Sequence, residues 1–497
     1  MVYTGDLKSP GPNGPAGSTP ASPTNIIKPI LNGLSLFIIK YKLIIHMKVL
    51  LEGNKLMYIK TKIINDASKY RLFKYIYVKQ FKDDVLMYHL LTNCLVLLSV
   101  DEYKNYLNIP ELKKLLFVVP DDYKDYDICQ YYVKYFRKRY KHDKFYLLDT
   151  RKFVIDSTLN CNARCSYCYQ KEFTIPKYNM NEHTTNNIIK LIKDCYKYHN
   201  QQIVLSLFGG EPLFYMKPYD NIVKELQNNN IPYITEITTN GYLLNDKNIN
   251  KLINEYHLTQ LQITVDNLNE KYNKIKNYIY KNDSNPYETI IKNIHNILQY
   301  NIHLSIRINY NPNENEVIGI YKTLAEEFKD NKNVYIYIIP LFTTYSKDEQ
   351  IEIIKNHIRY RYISNSDTNF LQKFKYARCA ADSPDSIQIA PNGDIYKCQH
   401  VLYGDGKIIN INDYYDNNIN IEDINQYIYD DSIYSFFEYK SCKECIFNPS
   451  CLNIKCCNNS NYDDCPLYVK FINKFDLETG LLQYYYNYKE NIKSNQS

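Results

Sequence analysis

From residue 152 to residue 340, short β-prone runs alternate with stretches whose apolar positions recur at helical spacing. Lys152–Ser157 (KFVIDS), Ile203–Phe208 (IVLSLF), Tyr233–Thr238, Leu261–Val265 (LQITV), His303–Asn309 (HLSIRIN) and Asn333–Pro340 (NVYIYIIP) read as strands. Glu182–Tyr196 reads as a helix, with Ile188, Ile189 and Ile192 on one face. Further helices are expected over Tyr219–Gln227, Asp246–Tyr256, Glu270–Tyr280, Pro286–Tyr300 and Glu316–Phe328. Six strand–helix repeats predict a parallel sheet, because each parallel pair needs a helical crossover. Right-handed crossovers curl such a run toward a barrel. The expected fold class is α/β, a partial (β/α)6 TIM-like barrel over residues 149–345.

The flanks read differently. Tyr70–Gln80 and Val85–Leu98 are β-prone, with turn signals at Lys82-Asp83-Asp84 and Thr92-Asn93. Short helices are expected over Val100–Leu107 and Glu111–Phe117. Together these predict a small N-terminal α+β domain, 47–148. Tyr131–Lys144 is basic and aromatic and reads as a solvated helix and linker. Residues 1–25 are rich in Gly, Pro, Ser and Ala, a composition that packs no core. They look like a translated transfer-RNA gene, so 1–46 is expected to be a disordered or mis-annotated extension, with Met47 as the start. The apolar run 29–39 is bounded by Lys28 and Lys40 and is far shorter than the about 20 residues a bilayer span needs. A Cys-rich extension covers 346–470 and a tail 471–497.

Candidate chemistry begins at the end of the first barrel strand, with Cys161, Cys165 and Cys168 in CNARCSYC. Three thiolates this close can hold a [4Fe–4S] cluster by three irons and leave the fourth open, unlike the four-cysteine sites of electron carriers. A zinc knuckle completed by a distant ligand such as His183 is the competing reading. Active sites in barrels of this kind lie at the carboxyl ends of strands, where this loop falls. Polar groups end the next strands: Gly209-Gly210-Glu211-Pro212, then Thr238-Thr239-Asn240-Gly241, then Asp266, with Arg307 on the fifth strand. Glycines admit close backbone approach, to a ligand or simply to a turn.

The cysteine spacing, with the GGEP run in register behind it, resembles the radical S-adenosylmethionine (radical SAM) enzymes. The resemblance implies that Cys161, Cys165 and Cys168 ligate a catalytic [4Fe–4S] cluster. It implies that Gly209, Gly210 and Glu211 meet the methionyl amino group of S-adenosylmethionine. Thr238, Asn240, Asp266 and Arg307 would hold its ribose and carboxylate, and Tyr167 would lie beside adenine or serve as a packed loop aromatic. The later cysteines resemble the SPASM extension of this family, which houses auxiliary clusters. Cys379, Cys398 and Cys456 would ligate one, and Cys442, Cys445, Cys451 and Cys465 a second. Cys457 competes with Cys456 for its role, and a zinc-stabilised tail is the alternative. The small N-terminal domain resembles that of peptide-modifying SPASM proteins, either gripping a peptide by strand addition or capping the barrel. The implied reaction is reductive cleavage of S-adenosylmethionine to a 5′-deoxyadenosyl radical, which takes hydrogen from a peptide or protein. A small-molecule or carbohydrate substrate and a non-enzymatic binding module are the alternatives. A flavodoxin- or ferredoxin-like partner would supply electrons.

Composition narrows this slightly. Fourteen cysteines without a secretory signal suit a reducing cytoplasm better than disulfides. A net charge of +6 over 497 residues, with no basic block fit for phosphates, gives no reason to expect nucleic acid, and no membrane association is expected. Cys94, Cys129 and Cys195 stand apart and read as packing thiols.

Overall fold

The computed structural model describes residues 44–45, 69–125, 146–171, 178–279, 285–312, 316–341, 345–364, 385–397, 406–419, 444–447 and 467–494. The chain divides into two compact units, Met1–Tyr140 with Asp367–Arg378 and Tyr434–Ser497, and Lys141–Ser366 with Cys379–Ile433.

In the first unit β1 (Ile44–Ile45), β3 (Ile76–Gln80), β4 (Asp84–His89) and β5 (Cys94–Ser99) form an antiparallel sheet in the order β1-β5-β4-β3. Ile44 and Ile45 pair with Val96 and Leu95. A second small sheet joins β2 (Tyr70–Leu72) to β6 (Val118–Pro120). The expected strand Tyr70–Gln80 is therefore two strands in two sheets. Apolar alternation runs on through Phe73 and Tyr75, both buried, and hides the turn between them. The helix expected over Glu111–Phe117 covers only Pro110–Lys114, because Leu116 takes a φ of 60° and turns the chain into β6. A capping box of Ser99 and Glu102 starts the preceding helix, Val100–Lys104. The helix Leu467–Ser494 adds Leu477 and Leu481 to this core, and Phe81 stacks on Tyr485.

The second unit is built on a nine-stranded sheet. β7 (Lys152–Asp156), β8 (Ile203–Phe208), β9 (Tyr233–Thr239), β10 (Leu258–Thr264), β11 (His303–Tyr310) and β12 (Val334–Pro340) pair in parallel in sequence order. Helices Glu182–His199, Lys217–Asn228, Asp246–Asn254, Asn269–Lys276, Pro286–Ile297 and Val317–Glu327 make the crossovers. Their starts are written locally: Asn181 and Asn245 accept from the third residue on, and prolines open Lys217–Asn228 and Pro286–Ile297. The core mixes aliphatic and aromatic side chains, with Phe153, Ile155, Leu205, Leu207, Ile237, Ile263, Tyr272 and Ile306 all nearly sealed from water.

Two differences from expectation bear on function. The sheet does not stop at six strands, for β13 (Ser386–Ile389) adds in parallel beside β7, followed by β14 (Asp394–Tyr396) and β15 (Lys407–Asn410) in antiparallel sense. The expected hairpin at Gly393 joins β13 to β14, with φ of 91° and its N–H donated to Ala390. The helix expected over Glu270–Tyr280 ends at Lys276, where Asn277 takes a left-handed φ of 45°. That early end frees residues 277–279 to brace the cysteine loop. No described helix is long and apolar enough to cross a membrane.

Candidate active site

The cysteine loop leaves the carboxyl end of β7 and is stitched down on two sides. On one side Gly210 N–H donates to Thr158 O and Glu211 N–H to Asn160 O, both at 2.9 Å. On the other, Arg164 N–H donates to Lys276 O at 2.9 Å, Ser166 N–H to Ile275 O at 3.2 Å, and Ile279 N–H to Asn162 O at 2.9 Å. The loop is thus an irregular strand between the GGEP segment and the end of helix Asn269–Lys276.

Cys161, Cys165 and Cys168 are all half-buried free thiols. Burial, then the Glu211 carboxylate, pushes the Cys161 thiol up to about 12, and the Ala163 N–H on its Sγ at 3.4 Å draws it back. Burial also raises Cys165, against the nearby Lys276 charge. Thiols held neutral this way become thiolates only when a metal displaces their protons. The donor set fits an iron–sulfur cluster. Ala163 N–H and, at 3.9 Å, Asn240 Nδ2 point at Cys161 Sγ, and the buried Asn162 Nδ2 has no hydrogen-bond partner. Hydrogen bonds to sulfur are what such clusters use. Among the described residues no three Cys, His, Asp or Glu side chains close on one point as a single ion requires. His183, the candidate fourth zinc ligand, instead faces Asp416 at 3.0 Å. Each cysteine of a cluster takes a different iron, so its thiols need not converge.

The two glycines answer to the loop rather than to open space. A Cβ on Gly210 would stand 2.3 Å from Asn160 O, and one on Gly209, at φ 121°, 2.5 Å from Thr158 O. Glu211 is 1 % exposed. Its Oε1 accepts from Leu213 N–H at 3.1 Å and Thr239 Oγ1 at 2.6 Å, and its Oε2 accepts from Asn240 N–H at 2.9 Å. Burial raises its carboxyl, partly offset by these donors. Asn240 Nδ2 donates to Asn162 Oδ1 at 2.7 Å, so Glu211, Asn240 and Cys161 form one connected patch.

A second patch joins Tyr167, Asp266 and Lys276. Tyr167 OH donates to Asp266 Oδ2, Lys276 Nζ lies 2.7 Å from the same oxygen and 2.8 Å from Tyr167 OH, and Asn309 N–H donates to Asp266 Oδ1 at 3.0 Å. Burial and then Asp266 hold the Tyr167 phenol well above its ordinary range. Tyr167 is thus fixed at its rim by Asp266 and Lys276. Arg307 Nε donates to Asn309 Oδ1 at 2.7 Å.

Thr238 lies half-buried on the face of β9 opposite Thr239, and it is Thr239 that meets Glu211. Sequence reasoning passed over Lys276, Asn162 and Thr239. The signal for Lys276 is weak, a lysine among several on a polar helix. Asn162 and Thr239 are direct neighbours of residues already singled out. Cys445 is half-buried. Cys129, Cys379, Cys398, Cys442, Cys451, Cys456, Cys457 and Cys465, and the segment 131–144, lie outside the described residues. Cys94 and Cys195 are buried, Cys195 Sγ donating to Leu147 O.

With this geometry in place, comparison with known proteins is direct. The profile of the radical SAM superfamily matches residues 155–324. A GTP 3′,8-cyclase of Clostridium perfringens is 28 % identical over 301 residues, 55 % of this chain and 87 % of that protein. A cysteine-type anaerobic sulfatase-maturating enzyme of Clostridium novyi is 25 % identical over 182 residues, 34 % of this chain and 46 % of that one. The solved structure of native anSMEcpe with bound AdoMet and Cp18Cys peptide superposes with a TM-score of 0.50 at 15 % identity, covering 68 % of this chain and 98 % of that one.

Proposed function

We propose that this chain, a radical SAM enzyme whose domain spans residues 155–324, takes hydrogen from a peptide or protein substrate. The observation that carries the reading is the three-thiol loop locked between the GGEP segment and helix Asn269–Lys276, at the carboxyl end of β7. The superfamily's cofactors, a [4Fe–4S] cluster and S-adenosylmethionine, supply the radical chemistry when bound. Cys161, Cys165 and Cys168 would hold the cluster, with Ala163, Asn240 and Asn162 offering N–H groups to sulfur. Glu211 uses three of about four acceptor positions within the protein, which leaves one for the methionyl ammonium. Thr238, Asn240, Asp266 and Arg307 remain our candidates for its carboxylate and ribose, and Tyr167 for the place beside adenine.

The substrate class rests on the chain beyond the barrel. Eight cysteines from Cys379 to Cys465 suit a SPASM extension with two auxiliary clusters, and within the same stretch of sequence Ser386–Ile389 (β13) pairs with β7, the strand that launches the cysteine loop. The likeness to a sulfatase-maturating enzyme supports a protein substrate. The longer likeness to a GTP 3′,8-cyclase favours a second reading, a small-molecule substrate. A flavodoxin or ferredoxin in a reducing cytoplasm would provide electrons in either case.

Anaerobic reconstitution tests the site. Wild type should release 5′-deoxyadenosine, and the triple variant Cys161→Ala, Cys165→Ala, Cys168→Ala should release none while the tail keeps its iron. Full release from the triple variant would sink the assignment. Incubation with GTP on one hand, and cysteine- or serine-containing peptides encoded beside the gene on the other, separates the substrate readings by which one changes mass.

A further inference from the structure

Lys276 is the only buried lysine or arginine among the described residues. An ammonium group taken out of water is costly unless paired. Here Asp266 pairs with it at 2.7 Å, both side chains being 2 % exposed. The charge stands beside the cysteine loop. Arg164 N–H donates to Lys276 O at 2.9 Å, and Lys276 Nζ donates to Tyr167 OH at 2.8 Å. These contacts bracket Cys165 in the chain, one residue before it and two after. The ammonium also lies 5.5 Å from the Tyr167 ring centroid, so the aromatic body fixes it as well. Two residues, Asp266 and Tyr167, hold one cation at a defined place next to the middle thiol. Anchoring the loop would need only the backbone carbonyl of residue 276, which any residue supplies. The side chain adds to that anchor a contact with Tyr167 and a fixed positive charge beside Cys165.

We infer that Lys276 is a positioning residue whose fixed positive charge beside Cys165 favours the one-electron-reduced form of the cluster, and so sets its reduction potential. The inference rests on the cluster reading above. Reduction adds one negative charge to the cluster and its thiolates, the electron coming from an external low-potential donor. A cation held nearby in a low-dielectric surround lowers the energy of that state. Asp266 opposes it in part, so the two residues should act with opposite sign, which simple bracing of the loop would not produce.

The test is a potentiometric titration of the anaerobically reconstituted full chain with dithionite, followed by electron paramagnetic resonance of the barrel cluster. Asp266→Asn should move the midpoint to a more positive value than wild type. Adding Lys276→Met to Asp266→Asn removes both charges and leaves no orphaned carboxylate. This double variant should be reduced at a more negative potential than Asp266→Asn alone. Lys276→Arg should stay close to wild type. Equal midpoints in the single and double Asp266 variants, each with full barrel iron, overturn the inference. If the double variant does not fold, the Asp266→Asn shift decides alone, and a midpoint unchanged or more negative than wild type overturns it. A wild type that takes up no barrel iron would instead sink the reading of the site.

Discussion

Glu211 accepts three hydrogen bonds and is almost wholly withdrawn from water. Glu211→Ala leaves two N–H groups and a hydroxyl buried without their acceptor, and should lower unfolding free energy by about 3 kcal/mol. Glu211→Gln keeps the shape and one acceptor oxygen, enough for Leu213 N–H and the Thr239 hydroxyl but not for Asn240 N–H, and removes the charge. It should keep most of the stability and weaken S-adenosylmethionine binding by about 1.5 kcal/mol, roughly tenfold, by anaerobic calorimetry. An unchanged binding constant in Glu211→Gln would remove the carboxylate from the cofactor site. Asp156 gives a second prediction. It ends β7, is fully buried, and accepts from Gln388 Nε2 of β13 at 3.0 and 3.1 Å. Burial pushes its carboxyl up to about 7, against the pull of Gln388. A folded pKa above the unfolded value means the folded state binds the extra proton, so this group's contribution is present at low pH and lost as pH rises toward 7. Asp156→Asn should therefore match wild type in urea melts near pH 4 and exceed it above pH 7 by a few kcal/mol. A stability difference that does not change with pH would show the carboxyl is not so shifted.

At the scale of elements, the glycines separate two roles. Gly210 sits where the GGEP segment runs against residues 158–160, and a methyl there would overlap two carbonyl oxygens, Asn160 at 2.3 Å and Leu159 at 2.6 Å. Gly210→Ala should push the segment off the cysteine loop, lowering both the melting temperature of the apo-protein and its iron uptake. Gly319, inside helix Val317–Glu327, has nothing within 4 Å of its added Cβ. Gly319→Ala should raise stability by about 0.5–1 kcal/mol, because the alanine loses less backbone entropy on folding. Thermal melts of the two variants should move in opposite directions. The elements themselves were largely readable: strand periodicity located the six consecutive parallel strands β7 to β12 but not β13, and apolar positions at helical spacing located the crossovers. What periodicity missed has one cause. The turn at 73–75 and the end of helix Asn269–Lys276 depend on single residues in special backbone conformations or on partners far along the chain, and neither breaks the apolar pattern.

Across the whole molecule the prediction concerns iron. Three [4Fe–4S] clusters would bring wild type to roughly twelve irons after anaerobic reconstitution. Cys442→Ala with Cys445→Ala should remove about four of them and spare the cluster of the cysteine loop. Stoichiometric zinc in the tail would overturn the auxiliary-cluster reading and leave the barrel site untouched. The sequence by itself determined the chemistry on offer. Thiol spacing, a glycine pair before a glutamate, and repeating strand–helix units are local properties, written in neighbouring residues and visible without any fold. The tertiary structure decided which of those groups face each other. It turned Glu211 into a tie between two strand ends, gave Thr239 a contact with Glu211, and brought Lys276, 111 positions after Cys165 in the chain, against the cysteine loop. Those pairings follow from parallel register and from where a helix stops, and burial then makes each of them consequential, because a charge or donor without its partner inside the protein is costly.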